Sequence, residues 1–402
     1  MAAIAKSDAT AIAKEYYASG GLINAAYEEN PGMALATKKR ISGKHYDFPI
    51  QYGYASNRSR TASTALAKAN KTQFVEFNVT TVASYDAKDI EKQAMAEITD
   101  SGAFVDLLTN TIDNLGKALG NGVGEDLFLG LGAALGQVGS VSTTTLTLKN
   151  PSHIARFYVG QTLRVASTDG TSGSLESGSV TVTAVNRDLG TLTAAANWSS
   201  GIGTIATDQY IFNDGDFGLG RAGLPAWVPD STSGLGTAFY GATRSVDSTR
   251  LAGCRQSVST GTDISSALRT LLSRMGREEA KPDVALCSYD MLADLETQLE
   301  QKNWVDIKSK SVDIGFEAIR VMTGGRRIDF VADRSCGDDR IYVGNRESLE
   351  LIYSSSDVFE IDDEDGEVLS RNATSYSYDI RGCSFSNYVV RRPKDWGVLL
   401  FT

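Results

Sequence analysis

Alternating apolar and polar side chains mark two neighbouring strands in the first quarter of the chain. Residues 44–54 carry aromatic and aliphatic side chains, and residues 72–84 alternate apolar with polar side chains, as strands do. The residues between them, 55–70, are small, polar and basic, with Leu66 as their one large apolar residue. The pattern predicts a long two-stranded hairpin with a soluble tip. A lone hairpin is marginally stable in water, so we expect it to pack on something else, such as a neighbouring subunit.

Apolar residues at helical spacing appear in two segments before residue 120. Residues 8–30 form a short-helix pattern that ends before Asn30-Pro31, because proline disfavours helix in the preceding residue, and we interpret the segment as a mobile arm. Ser101 can cap a longer helix, whose apolar positions are Val105, Leu108, Ile112, Leu115 and Leu119. Gly120 and Asn121-Gly122 are predicted to end it. A helix of about 19 residues is roughly 28 Å long and would cross a whole domain.

Residues 140–213 change to a composition dominated by Thr, Ser, Gly and Val. Strand-like runs separated by turn-forming residues lie at 143–148, 161–166, 180–186, 191–194 and 208–212. These short strands predict a small β-barrel or β-sandwich inserted into the main fold. The stretch 215–261 is rich in Gly, Ser and Pro and is predicted to be an irregular connection.

A mixed pattern of helix and strand follows residue 261. Apolar residues at helical spacing run from Ile264 to Met275, a buried strand is predicted at Val284–Cys287, and Ser288 begins a further helix. The remaining predicted strands lie at 328–331, 341–343, 349–353, 375–380, 383–391 and 398–401. The order of elements predicts an α+β protein, and the length of 402 residues predicts more than one domain.

Composition and charge fit a soluble protein made in a cytoplasm. Apolar residues make up 42% and charged residues 22% of the chain, as in ordinary globular proteins. The formal net charge of -10 argues against a surface that binds phosphate throughout. The first thirty or so residues include charged side chains and no continuous apolar run, so neither a signal peptide nor a membrane anchor is expected. No CxxC spacing occurs, and buried free thiols are expected at Cys254, Cys287, Cys336 and Cys383.

The sequence contains no arrangement of reactive residues that indicates an enzyme, a metal site or a cofactor. His45 and His153 lie near no cysteine and are expected to be solvent-facing or half-buried residues of β segments. The segment Gly218–Gly223 matches GxGxxG, but the prolines after it exclude the helix that a dinucleotide site needs, so a glycine-rich turn is expected. The acidic segment 362–367 lacks the spacing of a calcium loop and is expected to be a hairpin turn.

Short basic clusters are the remaining candidates for a binding role. The clusters are Arg391-Arg392 with Lys394, and Arg326-Arg327. The simpler interpretation is a solvated surface or an ion pair between subunits, and phosphate binding is the alternative. The residues predicted to make contacts between subunits are Arg58, Arg60, Lys68, Lys71, Arg391 and Arg392.

In sequence order, the predicted arm, hairpin, long helix, β module, α/β segment and returning strands resemble the Hong Kong 97 fold of tailed-bacteriophage major capsid proteins. Residues 101–130 resemble the family's spine helix and the glycine-rich segment after it. Residues 281–292 are similar to the strand-to-helix unit of its axial domain, and residues 315–353 resemble the passage from the axial to the peripheral domain. Residues 140–213 look like the extra β module that some members carry.

The resemblance implies an α+β Hong Kong 97-like capsid fold with defined parts. These are an N-terminal arm at 1–42, an extended loop formed by the long hairpin at 43–85, a peripheral domain with the spine helix at 86–139, the inserted β module at 140–213, an axial α/β domain at 214–340 and returning strands of the peripheral domain at 341–402. The family has no active site to transfer, so the function is expected to lie in interfaces.

The resemblance also implies a function and partners. It implies a major capsid protein that self-assembles into hexamers and pentamers and matures from a procapsid into the icosahedral shell around the double-stranded DNA of a tailed phage. Assembly is implied in the cytoplasm of a bacterial host. The implied partners are further copies of the chain, a portal protein, an optional decoration protein and packaged DNA that is contacted weakly and non-specifically. Because only some forty residues precede the loop, a separate scaffolding protein is implied. No cofactor and no membrane contact is expected.

A few members of the family join a loop lysine covalently to an asparagine of a neighbouring subunit. Lys68 and Lys71 lie on the predicted loop, and Asn345, Asn372 and Asn387 lie on the returning strands. Ordinary surface roles are expected for all five residues, so no cross-link is predicted.

Two other classes of protein also fit parts of the sequence. An encapsulin-type compartment has the same fold but encloses an enzyme, and the segments quoted above are nearer to phage capsid proteins. A secreted β-rich adhesin would explain the Thr- and Gly-rich module, but would be expected to begin with a signal peptide.

Overall fold

The computed structural model describes residues 30–53, 58–67, 72–92, 101–301, 309–311, 317–323, 325–362, 368–372 and 375–402. The predicted helix within 8–30, the loop residues Lys68 and Lys71, and nearly all of the predicted acidic turn at 362–367 lie outside the described residues. The α-helices of the described residues are α1 (Pro31–Leu35), α2 (Ala62–Ala67), α3 (Ser101–Asp126), α4 (Trp198–Gly201), α5 (Leu224–Trp227), α6 (Ile264–Arg277) and α7 (Tyr289–Gln301).

The strands of the described residues form three sheets and one closed barrel. They are β1 (Thr37–Arg40), β2 (His45–Gly53), β3 (Gln73–Thr80), β4 (Val82–Glu91), β5 (Gly136–Ser142), β6 (Thr145–Leu148), β7 (Thr162–Ala166), β8 (Val180–Asn186), β9 (Thr191–Ala194), β10 (Tyr210–Asn213), β11 (Cys254–Val258), β12 (Val284–Cys287), β13 (Ser309–Ser311), β14 (Glu317–Thr323), β15 (Arg326–Ala332), β16 (Arg340–Gly344), β17 (Leu349–Tyr353), β18 (Glu360–Ile361), β19 (Ser370–Arg371), β20 (Ser377–Val390) and β21 (Gly397–Phe401). The mixture of helices and several sheets agrees with the predicted α+β class.

The predicted hairpin is present as the antiparallel pair β2–β3, with His45 opposite Thr80 and Gln51 opposite Phe74. The second predicted strand, 72–84, is two strands. Its end belongs to β4, which pairs antiparallel with β20 in another sheet. The hairpin therefore ends at Thr80, and the chain passes directly from it into the body of the subunit.

Part of the predicted arm also belongs to the body. Strand β1 pairs parallel with β17, and the short helix α1 packs against α3. The backbone N–H of Gly32 donates to Asp333 Oδ2 at 2.9 Å, and Met33 is fully buried. Residues 31–40 of the predicted arm at 1–42 are therefore held against the body by Asp333 and the core.

The long helix α3 continues to Asp126, whereas the sequence predicted an end at Gly120. Its apolar face extends through Leu119 and Val123, both buried, and the hydroxyl of Tyr388 donates to the Val123 carbonyl at 2.8 Å. These contacts override the low helix propensity of glycine. Gly124 is also required for space, because a methyl there would lie 2.4 Å from Asn30 Oδ1.

The largest sheet has the order β11-β21-β16-β12-β15-β14-β13 and packs against α6. Strands β16 and β21, which lie in or next to the segment 341–402 that was predicted to return to the peripheral domain, belong to this sheet, where β16 lies beside β12. Both strands are apolar on both faces, which suits central strands covered on two sides. Ile341, Val343 and Leu399 face one core, and Tyr342, Val398 and Leu400 face the other. Strands β17 and β20 do return to the sheet that contains β1 and β4.

Residues 136–213 close into a barrel with the order β10-β5-β6-β9-β8-β7. Each of the predicted strand segments contributes a strand, and β5 adds one that begins at Gly136, before the expected boundary. The barrel interior is filled by apolar side chains, namely Val138, Leu146, Leu163, Val165, Val182, Leu192 and Ile211. Strands β5 and β10, at the two ends of the segment, pair with each other, so the barrel leaves and rejoins the main fold at one place.

The GxGxxG segment is irregular and leads directly into the four-residue helix α5, although the prolines after it were expected to exclude a helix; proline is tolerated in a first helical turn. The segment carries a buried arginine. Arg221 is 1% exposed, and its guanidinium donates to Asp126 Oδ2 at 2.5 Å, to Ser84 Oγ at 2.8 Å and to the Ser386 carbonyl at 3.1 Å. It therefore joins the end of α3, the start of β4 and the middle of β20. The segment lies so close to the end of α3 that a methyl at Gly223 would be 2.2 Å from the Asp126 carbonyl oxygen.

Gly124 and Gly122 allow a matched pair of substitutions in α3. Within the described residues, a methyl at Gly122 meets nothing within 4 Å outside its helix. We expect Gly124→Ala to lower the free energy of unfolding by about 1–3 kcal/mol, because α1 must move away. Gly122→Ala should raise it by about 0.5–1 kcal/mol through helix propensity. Urea denaturation measures both values, and equal effects would contradict tight packing of α1 on α3.

Arg221→Met should destabilise the subunit strongly, because it leaves the Asp126 carboxylate without its cation. Removing one partner of a buried ion pair lowers the free energy of unfolding by about 3–5 kcal/mol. Adding Asp126→Asn should recover part of the loss, because the unpaired charge is then gone. Chemical denaturation of the single and double variants tests this, and a single variant within about 1 kcal/mol of the parent would contradict it.

Candidate inter-subunit surface

The root of the β2–β3 hairpin is fixed by a cluster of aromatic side chains. Phe48 and Phe77 face each other across the hairpin with ring centroids 5.7 Å apart. Phe77 packs against Trp227 at 5.5 Å, and Trp227 packs edge-on against Phe239 at 5.0 Å. Such aromatic pairs contribute about 0.5–1.5 kcal/mol each beyond the burial of their area. One face of the hairpin root is therefore part of the subunit core.

Hydrogen bonds fix the direction in which the hairpin leaves the body. The Asn78 N–H donates to the Tyr240 carbonyl at 2.9 Å, and Arg250 Nη1 donates to the Tyr52 carbonyl at 2.8 Å. Asn387 Nδ2 donates to the Thr80 carbonyl at 2.6 Å. Both strands are therefore attached to the connection after α5, and the base of β3 is also attached to β20.

The distal part of the hairpin is exposed. Helix α2 at its tip has no buried residue, and Leu66 on this helix is 79% exposed. Phe74 is 57% exposed and lies on the outer face of the hairpin, opposite to the face that Phe77 presents to the core. A projecting strand pair with exposed apolar residues is typical of a surface that another molecule covers.

A second exposed surface lies on β4. This strand pairs with β20 along residues 82–91 and, among the described residues, has no strand on its other side. Tyr85 is 72% exposed and makes an edge contact with Phe385 at 5.8 Å between ring centroids. The free edge of β4 and the exposed ring of Tyr85 form a second candidate for contact with another subunit.

A solved structure supports the resemblance inferred from the sequence. No protein-family model and no curated protein matches the chain. The capsid asymmetric unit of cyanophage A-1(L) is similar at a TM-score of 0.56 and 11% identity, covering 92% of this chain and 92% of that chain. The chain has a phage major capsid fold.

Two further structures are similar at lower scores. The structure of Microbacterium phage Oxtober96 has a TM-score of 0.47 and 11% identity, over 93% of this chain and 91% of that chain. The holo-SrpI encapsulin complex from Synechococcus elongatus PCC 7942 has a TM-score of 0.44 and 10% identity, over 92% of this chain and 85% of that chain. Scores this low add nothing to the assignment of the capsid fold.

The basic residues predicted to contact other subunits fall in separate places on the capsid fold. Arg58 and Arg60 are exposed near the hairpin tip. Arg391 Nη1 lies 3.4 Å from Glu350 Oε1, and Arg392 forms an ion pair at 3.5 Å with a carboxylate three residues further on. These two half-exposed arginines therefore already have buried carboxylates as partners within the subunit. Lys68 and Lys71 lie outside the described residues, so a role between subunits stays a prediction for all six.

The exposed Phe74 was missed as a candidate, although the sequence contains a signal for it. Along β3, Phe74, Glu76 and Asn78 share one face because side chains alternate between faces. Phe74 is thus an aromatic residue on the polar face of an otherwise regular strand. The exposure of Tyr85 had no such signal. It shares one face of β4 with the exposed Ala83 and Ala87, opposite to the face of the buried Ile90.

The asparagines considered for a cross-link are held within the subunit. Asn387 is fully buried, so the expected surface role is wrong for it, and its amide also donates to the Tyr240 hydroxyl at 3.0 Å. Asn345 accepts from the Glu347 N–H at 2.9 Å and caps a 3-10 helix. Asn372 donates to Asp379 Oδ1 at 3.1 Å.

His153 and the cysteines, which were considered for catalysis or metal binding, are buried or half-buried within the subunit. His153 is half-buried, but in a 3-10 helix rather than the expected β segment, and burial lowers its pKa to about 3. The cysteines are free, and all are buried except the half-buried Cys383. Within the described ranges, no group of His, Cys, Asp and Glu could hold a metal ion. No helix in this part of the chain is both long and apolar enough to cross a membrane.

Phe77 and Phe74 allow a test of the division between root and distal hairpin. Phe77→Ala should lower the free energy of unfolding by about 3–5 kcal/mol, because it opens a cavity in the aromatic cluster. Phe74→Ala, on the same strand, should change it by no more than about 0.5 kcal/mol, because the ring is mostly in solvent. Thermal or urea unfolding of unassembled protein distinguishes them, and a large loss with Phe74→Ala would show that the outer face is covered within the subunit.

Proposed function

We propose that this protein is a major capsid protein, a shell subunit rather than an enzyme, that self-assembles into hexamers and pentamers of the icosahedral head of a tailed phage. The phage capsid fold across 92% of the chain supports this proposal. The observation that carries it is the β2–β3 hairpin, which has a root held in the core and a distal half with exposed Leu66 and Phe74. A neighbouring subunit would cover these residues in the shell.

We also propose how the parts correspond to the Hong Kong 97 fold. The hairpin is the extended loop, α3 is the spine helix, and the sheet of β1, β4, β17 and β20 is the centre of the peripheral domain. The largest sheet with α6 and α7 is the axial domain, which then includes β16 and β21 in addition to the segment 214–340. The barrel of 136–213 is an addition to this common plan.

The partners follow from the same proposal. Further copies of the chain, a separate scaffolding protein and a portal protein would take part in assembly inside the bacterial host, and the barrel offers a place for a decoration protein. The packaged double-stranded DNA would be contacted weakly, because the chain has a net charge of -10 and few contacts with phosphate are expected. The mature protein would reside in the virion.

Negative-stain electron microscopy of the purified full chain, alone and with a candidate scaffolding protein, tests the proposal. We expect closed icosahedral shells or capsomer rings. Native particles should contain DNA, and an enzyme inside them instead would indicate an encapsulin-type compartment. A monomer that persists under both conditions would overturn the proposal.

The double substitution Leu66→Ser and Phe74→Ser should impair assembly without unfolding the subunit. The exposed apolar side chains contribute little to the stability of the monomer, but their burial between subunits is favourable by about 25 cal/mol per Å². Sedimentation velocity should show a decrease of about tenfold or more in the shell fraction, with an unchanged melting temperature of the monomer.

Leu189→Ser is the matched control for this variant. Leu189 is 65% exposed on the barrel, so its substitution removes a similar exposed apolar side chain at a site away from the hairpin. It should assemble as the parent does. Equal yields of shells from the Leu66/Phe74 variant and the parent would exclude the hairpin as an assembly contact.

A further inference from the structure

A cluster of charged and polar side chains lies where the barrel meets the rest of the subunit, with Glu125 and Arg156 buried, Arg334 half-buried and Tyr158 41% exposed. We call this cluster the barrel seam, and it consists of Glu125, Arg156, Tyr158 and Arg334. Glu125 is the second-last residue of α3, Arg156 and Tyr158 lie between β6 and β7 of the barrel, and Arg334 follows β15. Three parts of the chain that are distant in sequence thus meet around one carboxyl group.

Arg156 attaches the barrel to the body with direct hydrogen bonds. It is buried, and its guanidinium donates to the Leu135 carbonyl at 2.8 Å and to the Ser335 carbonyl at 2.6 Å. The second bond joins residues 179 positions apart in sequence. The barrel is therefore held to the loop after β15 by this side chain.

The hydrogen bonds of Glu125 are longer than those of Arg156. Its Oε1 accepts from the Tyr158 hydroxyl at 3.4 Å and from Arg334 Nη2 at 3.5 Å, both of which are long for charge-assisted hydrogen bonds. Its position at the carboxyl end of α3 places it beside carbonyl groups that carry partial negative charge. The side chain is buried as well, so an ionised carboxylate is poorly stabilised here.

We propose that Glu125 is a proton-controlled latch that holds the barrel more firmly to the body when its carboxyl group is protonated than when it is ionised. In the protonated form the carboxyl can remain in the seam at little cost. In the ionised form it gains free energy by reaching water, which requires the seam to open.

The charged groups around Glu125 determine the pH range. Burial is the largest effect, opposes ionisation and raises the Glu125 pKa from 4.5 to about 7. Arg156, Arg334 and the hydrogen bond from Tyr158 favour ionisation, and neighbouring Asp126 opposes it. Because the closed seam binds the proton more tightly than an open one does, its stability is greatest below pH 4.5 and falls as the pH rises to about 7. Above that range the loss is complete.

The expected size of the effect follows from this pKa difference. Between pH 6.0 and pH 8.5 the opening equilibrium of the seam should increase about tenfold. Hydrogen exchange of the full chain, corrected for the intrinsic effect of pH on exchange, should show this increase in peptides covering 152–160 and 333–337. Peptides from α6, away from the seam, provide an internal reference.

Glu125→Gln should remove the pH dependence, because glutamine resembles the protonated acid and cannot ionise. Glu296→Gln is the matched control, since Glu296 is an exposed residue of α7 and its substitution changes the net charge equally. This control should behave as the parent does. A pH dependence that persists in Glu125→Gln, or is absent from the parent, would overturn the proposal.

Arg334→Gln provides an independent test if Glu125→Gln does not fold. Arg334 lowers the pKa of Glu125, so its removal should shift the midpoint of the opening transition to higher pH. An arginine with only a packing role would change the extent of opening equally at every pH. A midpoint that does not move would therefore contradict the latch.

Discussion

The rest of the fold depends on the hydrogen bonds and the ion pair that the buried guanidinium of Arg221 makes. It contacts the end of α3, the start of β4 and the middle of β20 in one place. A buried arginine is tolerated only when its charge and all its donors are satisfied, and here a carboxylate, hydroxyl groups and backbone carbonyls do so together. Because β4 directly follows the hairpin, this contact also fixes the position from which the hairpin departs.

A shell subunit must combine a rigid body with surfaces that remain open to other copies. The hairpin meets both needs along its length, since Phe48 and Phe77 are in the core while Phe74 and Leu66 are in solvent. The rigid root reduces the conformational entropy that the exposed part loses when a neighbour covers it. The exposed edge of β4 continues the same arrangement on the body, where the strand is held on one side by β20 and is open on the other among the described residues.

Local patterns predicted the elements that depend on local periodicity, and long-range contacts determined the rest. The hairpin, α6, β12 and α7 lie where alternating or helical spacing placed them. The end of α3 could not be predicted, because Tyr388 and Asn30 stabilise it from distant parts of the chain. Arg221 was also missed, since its contact with Ser386 spans 165 positions. The basic residues were proposed for the candidate surface from charge alone and stay a prediction, whereas Phe74 was visible only from its register in β3.

The barrel is inserted at one place in the main fold, next to the charged groups at the end of α3. Its first and last strands pair with each other, so the two chain ends that connect the barrel to the main fold are adjacent. Its apolar interior forms a cluster distinct from the two cores of the body. At the end of α3, beside the barrel, two acids face the partial negative charge of the helix end. Arg221 forms a close ion pair with Asp126, whereas the nearest cation that Glu125 contacts is Arg334 at 3.5 Å, and this difference is the basis of the proposed latch.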